Sequence, residues 1–128
     1  MSAMNAYKAQ ADLLKTIAHP TRLAILDILR DGEQCVCHME AVLGLRQASI
    51  SQQLMVLRRA RVVRIRREGL NIFYRVAKPE VLPILDAGDA AAGKPRPRAA
   101  RTRARGSCSC PKCTREQRIP LHQLSVRG

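Results

Sequence analysis

The side chains with the most distinctive chemistry in this 128-residue chain are its five cysteines, and they come in two groups. Cys35 and Cys37 flank Val36, while Cys108, Cys110 and Cys113 lie close together near the C-terminal end. Thiolates are soft donors, so such groups suit thiophilic metals and metalloids over calcium or magnesium. Neighbouring thiols can also be oxidised to a disulfide or persulfide. No signal-peptide-like segment and no long apolar run is found, which predicts a cytoplasmic protein without a membrane partner. In a reducing compartment clustered cysteines more often bind metal or react than form structural disulfides. The plain alternatives are two inert buried thiols at Cys35 and Cys37, and a tail cluster that forms its own metal clip or has no fixed role.

A second chemistry comes from charge. Lys and Arg number 23 against 10 acidic residues, a net +13. The excess is uneven: residues 1–93 hold 13 basic and 9 acidic groups, residues 94–128 hold 10 basic and 1 acidic. Attraction to a polyanion, most simply nucleic acid, follows. An enzyme is excluded as a first reading, because the chain lacks a phosphate-binding glycine loop, paired catalytic carboxylates and a nucleophile motif. His38 beside Cys37 does not make one, since sequence neighbours rarely form a nucleophile–base pair.

The elements that must hold these groups are mostly helical. Aromatics are nearly absent (Tyr7, Phe73 and Tyr74), so the core must be aliphatic. Ala6 to Ala18 reads as a helix with Leu13, Leu14 and Ile17 on one face. Pro20 fits the first turn of a second helix, about Thr21 to Arg30, which Asp31-Gly32 ends. His19 before it reads as a cap or packing residue rather than a ligand. Cys35 to Ala60 reads as a short helix, a tight turn at Gly44 and a longer helix, that is, a helix-turn-helix. On the longer helix Ile50, Leu54 and Leu57 form one apolar stripe. Gln47, Ala48, Ser49, Ser51, Gln52 and Gln53 lie off it and suit base edges in a major groove. Val62 to Val76 reads as a hairpin turning at Glu68-Gly69, with Val63, Ile65, Ile72, Tyr74 and Val76 on the alternating face. Arg64, Arg66, Arg67 and Arg75 crowd it, either as a solvated face or as phosphate contacts beside a reading helix. Pro79 opens a short helix that Pro83 should bend or shorten. Ala87 to Gly93 reads as frayed helix or linker. From Lys94 apolar periodicity ends, so residues 94–128 are expected to form a disordered basic tail with strongly salt-dependent phosphate binding. The fold class is therefore mainly α (α+β): a winged helix-turn-helix over residues 1–93, with a two-stranded wing, followed by the tail.

Four segments in this order add a resemblance. His19-Pro20-Thr21-Arg22-Leu23-Ala24-Ile25-Leu26, Gln34-Cys35-Val36-Cys37, Ser49-Ile50-Ser51-Gln52-Gln53-Leu54 and Arg66-Arg67-Glu68-Gly69 together resemble the ArsR/SmtB family of dimeric metal-sensing repressors, over roughly residues 7–86. The resemblance implies a homodimer joined through its first and last helices. It implies an apo form that blocks a double-stranded DNA operator and is released by ligand. It also implies that Cys35 and Cys37 look like the family's arsenic/antimony or cadmium/lead site, with As(III) the first choice of inducer and Sb(III), Cd, Pb or Zn as others. Gln47, Ser49, Ser51, Gln52 and Gln53 would then face DNA, with Arg64, Arg66 and Arg67 as the basic wing.

Residues two apart on an ideal helix point about 200° from each other, so one ion could reach both thiolates only if the helix end unwound. Such unwinding would disturb the element that positions the reading helix, which is what a switch needs. Several positions depart from the family pattern. Glu40 stands where an arsenic-sensing version has a third cysteine, and His38 where an acidic residue is common. No cysteine precedes Cys35, and the last helix offers only Asp86 toward a zinc site. Arg61 occupies a position where glycine is usual, Gln53 replaces a common His, and Leu70 a common arginine. About 23 residues separate Leu85 from Cys108, a flexible span of roughly 25 Å root-mean-square, so a tail thiol could complete the site in either subunit. Two further readings stay open: a redox-sensing repressor of the same fold, and a general basic nucleic-acid binder with structural zinc.

Overall fold

The computed structural model describes residues 3–94; the expected basic tail and Cys108, Cys110 and Cys113 lie outside the described residues. The elements run α1 (Ala3–Ile17), α2 (Pro20–Ile28), a 3-10 turn (Leu29–Asp31), β1 (Gln34–Cys35), α3 (Val36–Leu43), α4 (Gln47–Arg59), β2 (Val63–Glu68), β3 (Asn71–Val76) and α5 (Val81–Ala92). This is the expected winged helix-turn-helix, with one addition. The wing is three-stranded, in the order β1-β3-β2, and every pairing is antiparallel.

Aliphatic side chains fill the core. Ile25 and Leu26 of α2, Met39 of α3, Ile50, Leu54 and Leu57 of α4, and Val81 and Leu85 of α5 are buried together with Val62 and Val63. Their helical spacing lets α4 hold its apolar stripe against α2 and α3 while the opposite face stays exposed. Arg30 fastens α2 to α5: its Nη2 donates to Asp86 Oδ1 at 2.8 Å, and its Nε to Asp27 at 3.1 Å.

The helix ends follow local chemistry. His19 is the N-cap of α2, its Nδ1 accepting from the Thr21 amide at 3.1 Å, so it caps rather than coordinates. Gly44, at φ 66°, is the left-handed stop between α3 and α4 that sets the helix-turn-helix angle. Helix α4 ends in a Schellman arrangement: the Val62 amide donates to the Leu57 carbonyl and the Arg61 amide to the Arg58 carbonyl, both at 2.9 Å. That arrangement needs a left-handed residue at position 61, and Arg61 supplies it at φ 60°. An L-side chain there is strained, so Arg61→Gly is expected to raise stability by on the order of 1 kcal/mol, read as a higher urea midpoint at unchanged m-value.

Two expectations are corrected. Pro83 neither bends nor shortens α5, because it sits in the first turn, where an amide has no intrahelical acceptor to lose; the helix runs on through Ala87 to Ala92 and stops at left-handed Gly93. The wing turn lies one residue later than Glu68-Gly69. Glu68 pairs with Asn71, leaving Gly69-Leu70 as a two-residue connection with Gly69 at φ 61° and Leu70 at negative φ, a type II′ turn.

Candidate nucleic-acid interface and thiol site

Helix α4 presents its N-terminal half outward. Gln47, Ala48, Ser49 and Gln52 are exposed, and Ser51 is half-buried. The same exposed stripe continues through Met55 and Arg59, neither of which the sequence reading selected. Their spacing from Ala48 and Gln52, three to four residues per step, was the available signal.

Gln53 is placed differently from its neighbours. It is half-buried toward α2, where Arg22 Nε donates to its side-chain oxygen at 2.8 Å. Arg22 Nη1 donates in turn to the Thr16 carbonyl at 3.0 Å, so α1, α2 and α4 share one guanidinium. A guanidinium only donates, so the Gln53 atom it meets must be the amide oxygen, leaving the amide N–H₂ for any other partner.

The wing arginines divide. Arg64 and Arg67 are exposed on β2. Arg66 is clamped: it donates to Glu33 at 2.6, 2.9 and 3.1 Å and to Glu68 at 3.1 Å. The two carboxylates, Glu33 first, raise the Arg66 pKa above its ordinary value. Its guanidinium also lies 4.8 Å from the centroid of the Phe73 ring. Arg66 therefore acts within the described structure as a tie between the wing and the segment before β1.

That segment leads into the thiols. Cys35 is both the last residue of β1 and the N-cap of α3, with an extended backbone (φ −87°, ψ 164°). Cys37 is inside the first turn of α3. Because Cys35 lies outside the helix, the opposed directions of an ideal helix do not apply, and the two sulfurs approach to 2.6 Å. No unwinding is needed to bring them together, which corrects the sequence argument. Cys35 is directly opposite Phe73 on β3, and Phe73 is directly opposite Arg66 on β2. Cys35 and Phe73 are buried against each other, with Cys37 packed alongside. The link from thiols to wing through Phe73, Arg66 and Glu33 was invisible in the sequence, since a two-residue strand has no periodicity. Among the described residues no three His, Cys, Asp or Glu side chains are arranged to hold a metal ion. When both are reduced, the two sulfurs are soft donors that suit a thiophilic ion, which further ligands must complete.

A groove of about 520 Å³ runs between α1, α2 and α5, lined mainly by Leu14, Ile17, Leu23, Ile28, Ile84 and Leu85. No helix among the described residues is long and apolar enough to cross a membrane.

Known proteins share this arrangement. Residues 19–64, from the cap of α2 into the wing, match the family described as bacterial regulatory protein, arsR family. A biofilm growth-associated repressor of Agrobacterium fabrum is 48% identical over 77 residues, 60% of this chain and 66% of that protein. The structure of HlyU from Vibrio cholerae superimposes with a TM-score of 0.62 at 33% identity, covering 73% of this chain and all of that one. The AntR antimony-specific transcriptional repressor superimposes with a TM-score of 0.62 at 33% identity, over 72% of this chain and 83% of that one. By this family match, by its identity to such regulators and by its superposition on their structures, the chain belongs to the arsR family of bacterial regulatory proteins, the ArsR/SmtB-type winged-helix transcriptional repressors.

Proposed function

We propose that this chain represses transcription by binding a double-stranded DNA operator as a homodimer, and that a thiophilic metal or metalloid, As(III) foremost, releases it by engaging Cys35 and Cys37. The observation that carries the reading is the position of the sulfur pair: 2.6 Å apart, at the junction of β1 and α3, and in register with Phe73 of the wing. A ligand that changes the spacing or charge of these sulfurs acts on the helix-turn-helix through α3 and on the wing through β3. Two DNA-contacting elements are thereby biased from one site, the differential interaction that a switch requires. Resemblance to a repressor named as antimony-specific supports a metalloid of the same chemical group. Cys108, Cys110 or Cys113 supplies the third thiolate, and cadmium, lead or zinc becomes the preferred ligand if a fourth joins. The apolar groove between α1, α2 and α5 supports pairing of two copies through those helices. A redox variant is favoured by the same sulfur contact, since closely placed cysteine sulfurs can form or exchange disulfides under oxidant.

The test is fluorescence anisotropy of the reduced full chain on the DNA upstream of its own gene. One equivalent of arsenite is added, with cadmium, zinc and peroxide in parallel. Sequence-specific binding lost with arsenite alone supports the metalloid reading, and loss with peroxide alone moves the signal to redox. Binding indifferent to sequence and to every ligand overturns the sensor and leaves a general nucleic-acid binder.

The Arg22–Gln53 contact adds a further expectation. Arg22→Ala frees the Gln53 amide oxygen and removes the bond to Thr16, so operator affinity should fall about 3- to 10-fold. Preference at one base pair should also shift toward adenine, because a freed glutamine can pair with adenine through both its oxygen and its nitrogen. A panel of single base-pair substitutions in the operator reads both effects.

A further inference from the structure

The C-terminal end of α4 carries a second charged surface that neither the outward stripe of that helix nor the wing tip explains. A groove of about 460 Å³ opens there, bounded by Arg58, Arg61, Arg64 and Lys78 over a floor that includes Val63 and Ala77. No acidic residue lines it, and none of the four cations forms an ion pair with a described carboxylate. This contrasts with Arg66, two residues along the same strand, which is held by two glutamates. Lys78 donates to the Ala60 carbonyl at 3.3 Å, which fixes its ammonium over the helix end and leaves two N–H donors for another partner. Arg64 also faces Arg75 directly across the β2–β3 pair, a like-charge opposition that disfavours the sheet unless an anion lies nearby.

Backbone strain gives an independent observation. Arg61 is the one non-glycine residue with positive φ among the described residues, at a turn whose geometry glycine meets without cost. Its side chain does nothing for that turn, which is made by backbone amides. What the arginine adds over glycine is a cation at the rim of this groove.

We propose that this groove is a phosphate-backbone site for duplex DNA, flanking the base-reading half of α4. The assignment rests on the operator-binding reading above. A recognition helix lies in the major groove and meets base edges with its N-terminal residues. In α4, 13 residues and about 20 Å long, the far end that carries Arg58 is then left beside the phosphates that wall the groove. The lining contains no aromatic side chain on which a base could stack, so the groove takes the sugar-phosphate backbone and reads no sequence.

The test compares the wild-type full chain with Arg61→Gly and Arg58→Ala by anisotropy, on operator and scrambled duplexes, between about 50 and 200 mM salt. Arg61→Gly should melt at a higher temperature than wild type yet bind both duplexes about 3- to 10-fold more weakly. Its slope of log affinity against log salt should be shallower by about 0.9 per arginine removed in each subunit, with the operator-to-scrambled ratio unchanged. Arg58→Ala should reproduce the binding change without touching the strained turn, and Arg61→Lys should recover the slope but not the gain in melting temperature. Wild-type binding that Arg61→Gly and Arg58→Ala both match in affinity and salt slope would overturn the groove and leave the operator reading intact. Wild-type protein that binds neither duplex overturns the operator reading itself, and the groove with it.

Discussion

Cys35→Ser is expected to bind the operator as tightly as wild type and to stay bound when arsenite is added. Wild-type protein should lose about 5- to 150-fold in affinity on ligand addition, the usual span of coupling between two sites, whereas the variant should change less than about twofold. The first half of this expectation comes from the position of Cys35. It is the N-cap of α3 and makes no side-chain capping bond, while serine is among the preferred N-cap residues. The substitution therefore keeps α3 and can strengthen its start. The second half comes from ligand chemistry: a hydroxyl is a hard, weakly acidic donor and a poor replacement for a thiolate toward a soft ion. Anisotropy with and without arsenite measures both. Loss of ligand-free DNA binding in Cys35→Ser, with α3 intact by circular dichroism, would instead make Cys35 a structural residue.

Phe73→Ala should be the most destabilising single substitution in the wing, by about 3–5 kcal/mol. Phe73 is 2% exposed and is the largest of the fully buried side chains. Truncation leaves a cavity between Cys35 and Arg66 and removes the ring under the guanidinium. A loss of that size is a large share of the roughly 5–15 kcal/mol of a typical domain. Urea unfolding at fixed protein concentration reads it as a lowered midpoint, the concentration being held because pairing of copies would add to stability. Phe73→Leu keeps most of the volume and should remain folded. In that variant arsenite should still protect both thiols from titration but release DNA less completely, because the contact from Cys35 to the wing is loosened. Full release by arsenite in Phe73→Leu would place the coupling in α3 alone.

Much of the fold was legible because the signals were periodic or local. Ile50, Leu54 and Leu57 marked the buried face of α4, and Gly44 marked the turn before it. Arg61 could be read as a strained residue in a glycine position before any coordinates, and its φ of 60° bears this out. What failed were features set by tertiary context. Alternation along β3 pointed Ile72, Tyr74 and Val76 inward and left Phe73 on the other face. In fact both faces of β3 carry packed side chains, Tyr74 and Val76 against the main core and Phe73 against Cys35, while Ile72, near the wing turn, is exposed. Strand β1 is too short to carry a pattern, so the register that joins the thiols to the wing could not be foreseen. Gln53 looked like its polar neighbours on α4 because nothing in its own segment announces Arg22, 31 residues earlier. Pro83 was judged by residue type alone, whereas its effect depends on where the helix begins.

The shallow anchorage of β1 bears on timing as well as on affinity. Cys35 is only 5% exposed, and Cys37 is half-buried beside it. Two residues of strand pairing form a small cooperative unit, of the kind that opens locally far more often than the domain unfolds. On the proposed reading, a thiophile in solution would meet a reduced Cys37 first and reach Cys35 in the intervals when β1 lifts from β3. At low ligand the rate of capture scales with the open fraction, and at high ligand it levels off at the opening rate itself. Past that plateau, more ligand would not hasten the proposed release. In that regime a repressor gated at these sulfurs would register how long a thiophile persists rather than how high it peaks.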